Sequence, residues 1–207
     1  MAGLSVTPQE TSPSIAAIVA AVDPTLPAFR EQTSPDGMVT IVFTDIEGST
    51  ELMERLGEHR YLKGLLTHNR IVRRSVTKFE GEVVKSQGDG FMLAFASASA
   101  ALGCSVELQR ALARYNERKP DESLHMRIGM HTGNIFQSEE DLHGRAVVLA
   151  ARITGQARGG EILVSEACRA YTEPTGFWRY GLERELQLKG VATPQRASAL
   201  EWGPPPA

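Results

Sequence analysis

The sequence predicts an α+β domain in which helices pack on a mixed sheet, and three observations carry that expectation. Strand-like and helix-like segments follow one another in the order βααββαββα, an arrangement in which helices cover a sheet. Two long segments repeat apolar residues at three- and four-residue spacing, the period of an amphipathic helix. No repeat or low-complexity block interrupts residues 38–202, so one domain accounts for them.

The chain has 207 residues, enough for one domain with a substantial core. An apolar fraction of 42% and a charged fraction of 23% are those of a soluble domain. The net charge of -3 offers no attraction for nucleic acid or an anionic membrane, so neither is an expected partner. Cys104 and Cys168 lie in helix-like segments without metal-ligand spacing and are expected to be small core residues in a reducing compartment. The apolar run Ile15–Val22 lacks a preceding basic segment and is too short to span a bilayer. The expected location is therefore cytoplasmic.

Residues 1–37 read as a linker with room for one short helix, because Pro24, Pro27 and Pro35 prevent a long one. Ser34-Pro35-Asp36-Gly37 forms a turn that starts the domain. Val39–Thr44 is a strand of β-branched and aromatic residues that runs into Asp45. Glu51–Leu56 is helix-forming, and Ser49 or Thr50 is its expected cap. N–H groups at a helix start, just beyond a carboxylate, suit a phosphate and a metal together.

Leu62, Leu65, Leu66, Val72, Val76 and Phe79 mark the first long helix, about five turns, which Gly81 stops. Two short strands, 82–87 and 91–95, flank Gly88-Asp89-Gly90, a hairpin signal with Asp89 at its tip. The second long helix runs from Ala98 to Arg118 and ends at Lys119-Pro120. A strand over His125–His131, a polar stretch, a helix over Arg145–Thr154, a strand over Glu161–Val164 and a short helix over Ser165–Tyr171 follow. Strands around 186–190 and 197–202 close the domain, and residues 203–207 form a disordered tail.

Asp before a helix is commonly a cap, and Asp between glycines a turn residue. If the turns carrying Asp45 and Asp89 lie side by side, however, the two carboxylates can share Mg²⁺ or Mn²⁺, which take oxygen ligands and retain water and phosphate. Phe43–Thr50, Lys85–Phe91 and Asp141–Gly144 with Ala150-Ala151-Arg152 occur in an order and spacing that resemble the class III nucleotidyl cyclases, adenylyl type, over residues 38–202. The resemblance implies a ferredoxin-like, palm-type mixed sheet flanked by helices. It also implies an adenylate cyclase that converts ATP to 3′,5′-cyclic AMP and pyrophosphate, with two divalent metals in each site of a head-to-tail homodimer.

By that resemblance Asp45, the Ile46 carbonyl and Asp89 hold metal, and Gly48, Ser49 and Thr50 cradle phosphate. Lys85 and Asp141 select adenine, Arg152 stabilises the transition state, and Lys189 resembles a terminal-phosphate lysine. The metal aspartates come from one chain and Lys85, Asp141 and Arg152 from the other. Two positions depart from the family pattern. Val148 stands where an asparagine is usual, and Asn134 where many relatives carry arginine. The first motivates an alternative of low activity, or of a silent cyclase-homology domain that binds nucleotide or dimerises. Guanylate cyclisation is the less favoured reading.

Overall fold

The computed structural model describes residues 38–138 and 141–203, without the side chains of 136–138 and 141–143. The helix expected near 15–22 and the tail after residue 203 lie outside the described residues. In order, the elements are β1 (Met38–Ile46), α1 (Ser49–Leu56), α2 (Glu58–Lys78), β2 (Glu82–Gln87), β3 (Gly90–Phe95), α3 (Ala98–Arg118) and β4 (Met126–Asn134). There follow β5 (Phe136–Ser138), β6 (Asp141–His143), α4 (Arg145–Thr154), β7 (Ile162–Ser165), α5 (Glu166–Thr172), β8 (Tyr180–Leu186) and β9 (Gln195–Leu200).

Seven strands form one sheet in the order β2-β3-β1-β4-β7-β9-β8, with β5 and β6 as a separate ribbon. Within the large sheet only β4 and β7 pair in parallel. The expected α+β class with a mixed sheet is therefore the observed one. Because side chains alternate along a strand, β1 serves both faces: Val42 and Ile46 join Val72, Val76, Leu102 and Leu108 under α2 and α3, while Val39, Ile41 and Phe43 join Val147, Ala150 and Ala151 under α4. Such two-sided burial explains why β1 reads as an unbroken apolar run.

The approach of α4 to the sheet is set by Gly129, where a Cβ atom would lie 2.3 Å from the Thr154 backbone nitrogen. Cys104 and Cys168 are buried and unbonded to each other, and burial pushes both thiols up to about 12. They are therefore inert core residues, as expected.

Two expectations need correction. The stripe on α2 is rotated from the one expected: its buried residues are Tyr61, Gly64, His68, Val72, Ser75 and Val76, while Leu62 and Leu66 are exposed. The strand expected around 186–190 instead spans Tyr180–Leu186, because Leu186 and Leu188 bury against Leu149 and Ile153 while the chain turns at Gly190.

His131 on β4 shares a 3.0 Å hydrogen bond between its Nδ1 and Ser165 Oγ. Burial, and then the charge of Arg145, lower its pKa from 6.5 to about 4. The folded state thus resists a proton that the unfolded chain accepts, so stability present at neutral pH is lost as pH falls from 6.5 to about 4. In urea unfolding series, the acid-side stability loss should be shallower for His131→Gln than for wild type across that interval. Parallel pH profiles would contradict this origin.

Candidate active site

Asp45 closes β1 and is only 4% exposed. Register places it opposite Arg127 of β4. Arg127 Nε donates to Asp45 Oδ2 at 2.8 Å, and its Nη2 reaches the same oxygen. The turn between β2 and β3 brings up Asp89, 7% exposed, whose Oδ2 accepts from the Ile46 N–H at 3.3 Å. The two strand ends are thereby joined through a carboxylate. Burial raises the Asp45 pKa, the Arg127 hydrogen bond opposes that rise, and the charge of Asp89 adds to it.

Among the described residues no group of three or more His, Cys, Asp or Glu is placed to hold a metal. That donor set lacks the all-protein cage of a structural zinc site. Two aspartates beside the Ile46 carbonyl fit a hard cation such as Mg²⁺ instead, which is held by one or two carboxylates plus substrate phosphates. Both Asp45 and Asp89 have an oxygen beyond the bonded Oδ2.

The helix start beyond Asp45 differs from expectation. Its cap is Gly48, in the left-handed region at φ 64°, and no side chain caps the helix, so neither Ser49 nor Thr50 has that role. A left-handed turn of this kind favours glycine. With no side chain closing them off, the first N–H groups of α1 are open donors. Burial, and then the charge of Asp89, raise the pKa of Tyr61 on α2 while Ser49 opposes the rise, which sets this side chain beside the loop.

Lys85 is buried at 7% exposure rather than facing solvent. A β-bulge shifts register between Val83 and Lys85, so the consecutive Val84 and Lys85 are both buried where regular alternation would separate them. Asp141 begins β6, opposite Ser138, and its side chain is outside the described atoms. On α4, Val148 is 50% exposed and Arg152, one turn later, is also exposed. Asn134 is exposed at the end of β4, and Lys189 is exposed in a turn rather than a strand.

One chain therefore brings together Asp45, Ile46, Asp89 and the Gly48–Thr50 turn. Among the described residues, neither Arg152 nor Lys189 has an ion pair with that group. Arg127 is the site residue that sequence reasoning missed. Its signal was present: an arginine within the apolar strand Met126-Arg127-Ile128 requires a partner. The register that supplies Asp45 was not legible.

With this geometry in place, comparison with known proteins identifies the class. A family model described as the adenylate and guanylate cyclase catalytic domain matches residues 31–198. The chain belongs to this family, the class III nucleotidyl cyclase catalytic domains.

It is 34% identical over 186 residues to an adenylate cyclase of Lachancea kluyveri, covering 78% of this chain and 10% of that protein. A serine/threonine-protein kinase of Myxococcus xanthus is 28% identical over 176 residues, covering 81% and 20%. The chain spans between 6% and 23% of the length of such curated relatives. Solved adenylate cyclases of Trypanosoma brucei in a monomeric state superpose with a TM-score of 0.72 at 28% identity, covering 82% of this chain and 92% of theirs. A guanylyl cyclase superposes with a TM-score of 0.69 at 27% identity, covering 79% and 91%. Both substrate types thus occur among proteins of this fold.

Removing Arg127 leaves the buried Asp45 carboxylate without its cation. Arg127→Met should cost about 1.5–3 kcal/mol in urea unfolding, the scale of a hydrogen-bonded charge. In an Asp45→Asn background the same substitution should cost clearly less. Equal costs in both backgrounds would contradict the assigned pairing.

Proposed function

We propose that this domain is an adenylate cyclase that converts ATP to 3′,5′-cyclic AMP and pyrophosphate at sites shared by two copies of the chain. The observation that carries this reading is the convergence of Asp45 and Asp89 at the end of β1, joined by the Ile46 N–H and set beside the open helix start at Gly48. Asp45, Asp89 and the Ile46 carbonyl would hold two Mg²⁺ or Mn²⁺ ions. Bound there, such ions supply Lewis acidity to the ribose 3′-hydroxyl and charge compensation to the departing pyrophosphate.

The chain's own residues orient and select. N–H groups of Gly48, Ser49 and Thr50 receive phosphate oxygens. Lys85 donates to adenine N1 and Asp141 accepts from the 6-amino group, a pattern that guanine reverses. Burial of Lys85 by the bulge supports this reading, since a re-aimed lysine is presented at one place rather than swept through solvent. Arg152 would stabilise charge on the reacting phosphate. Among the described residues Arg152 has no ion pair with the aspartates of its own chain, which fits a head-to-tail homodimer in which each site takes Arg152, Lys85 and Asp141 from the second copy. Lys189 is proposed at the terminal phosphate.

Residues 38–202 are proposed as the catalytic unit, with 1–37 as linker and 203–207 as tail. No described helix is long and apolar enough to cross a membrane. A cytoplasmic location, where ATP is supplied, fits the proposed substrate.

Val148 favours a second reading, a domain that binds nucleotide or dimerises with little turnover. It is exposed on the same face of α4 as Arg152 and has no polar atom in its side chain. A missing positioned donor costs about 10²–10³ in rate.

Purified protein assayed with ATP and GTP, each with Mg²⁺ and Mn²⁺, should form cyclic AMP in preference to cyclic GMP. Equal rates would overturn the roles of Lys85 and Asp141. Asp45→Ala or Asp89→Ala should lower turnover by at least about 10²–10³, and retention of activity with Mn²⁺ would remove the metal assignment. Val148→Asn should raise kcat with little change in KM, provided that position orients the reacting groups. An unchanged kcat would assign that task elsewhere.

A further inference from the structure

Away from the metal carboxylates, α2 and α3 enclose a trough of about 650 Å³. Its α2 wall is Thr67, Arg70, Ile71, Arg74, Ser75 and Lys78, a stripe of three- and four-residue steps. Its α3 wall carries Glu107, Ala111, Arg114, Tyr115 and Arg118 in the same rhythm. Five cations face one carboxylate on a chain whose net charge is -3.

Glu107 stands at one end, where it pairs with Arg114 at 3.2 Å and Lys78 at 3.8 Å. Among the described residues, Arg118 Nε donates to the Arg114 carbonyl at 2.9 Å, and Arg118, Arg70 and Arg74 have no ion pair. Like charges four residues apart disfavour a helix. That spacing occurs at Arg70 and Arg74, at Arg74 and Lys78, and at Arg114 and Arg118. An anion in the trough would relieve all of these repulsions together.

We propose that the trough is a second anion site, which binds a small molecule carrying several phosphates through Arg70, Arg74 and Arg118. Four of the five cations are arginine, whose planar fork matches phosphate oxygens in pairs. The volume lies within the range of small-molecule sites, about 300–1,000 Å³. Thr67 and Ser75 add hydroxyl donors, and Ile71, Ala111 and Tyr115 give an apolar flank for the rest of the ligand. A polyphosphate places several charges within a few ångströms and so reaches guanidiniums on both walls, whereas peptide carboxylates arrive one per residue. Because α2 also bears Tyr61, beside Ser49 of the phosphate loop, the helix that walls the trough also borders the candidate nucleotide site.

Calorimetric titration of the full chain with inorganic tripolyphosphate in EDTA tests this, since without divalent metal the aspartate site repels the probe. Saturable binding of one probe per chain is expected, weakened by about tenfold or more in Arg74→Ala/Arg118→Ala. Lys189→Ala, which removes the cation proposed at the nucleotide's terminal phosphate, should bind as wild type does. Both arginines are exposed, so the double variant should keep the wild-type circular dichroism and thermal midpoint. Absence of saturable binding, or wild-type affinity in the folded double variant, would overturn the site. Equal displacement by an oligoglutamate peptide would overturn its assignment to phosphate.

Discussion

Two carboxylates held together at the end of the central strand are the constraint on which the rest of the structure depends. Asp45 and Asp89 are both nearly excluded from water, and the charge of Asp89 adds to the cost of charge on Asp45. Arg127 offsets the first charge and the Ile46 N–H partly offsets the second. Those bonds exist only if β1 and β4 pair in one register and the β2–β3 turn closes against β1. A slip by one residue would turn Asp45 to the opposite face of the sheet and strip it of Arg127. The charged site and the sheet register therefore specify one another.

Much of the fold was legible because long periodic segments declare themselves. The bounds of α3 and α4 agree with the expected Ala98–Arg118 and Arg145–Thr154, where Lys119-Pro120 and Gly155 punctuate the pattern. Where several stripes compete, local period is insufficient. On α2 the buried face is chosen by small and polar residues, Gly64 against Tyr115 and Leu124, His68 against Phe91, and Ser75, and these lose to leucines in any reading by hydrophobicity. The left-handed cap at Gly48 was missed for a related reason: two hydroxyls stood beside it and resembled caps.

Site residues divided along the same line. Asp45 and Asp89 could be picked out because each follows a strand and precedes a glycine turn. Arg127 could not, because its meaning comes from a residue 82 positions away on a neighbouring strand. The burial of Lys85 rests on a bulge that alternation alone does not announce. In both cases the missing information was tertiary register rather than residue chemistry.

Within one chain, among the described residues, the exposed Arg152 of α4 has no ion pair with the carboxylates at the end of β1, and the proposed reaction requires them at one nucleotide. Mixing Asp45→Ala chains with Arg152→Ala chains measures this directly. If the site is divided between copies, neither variant turns over alone, while an equal mixture regains roughly a quarter of wild-type cyclic AMP formation, because half the dimers are mixed and each keeps one intact site. A mixture as inactive as either variant would contradict the divided site.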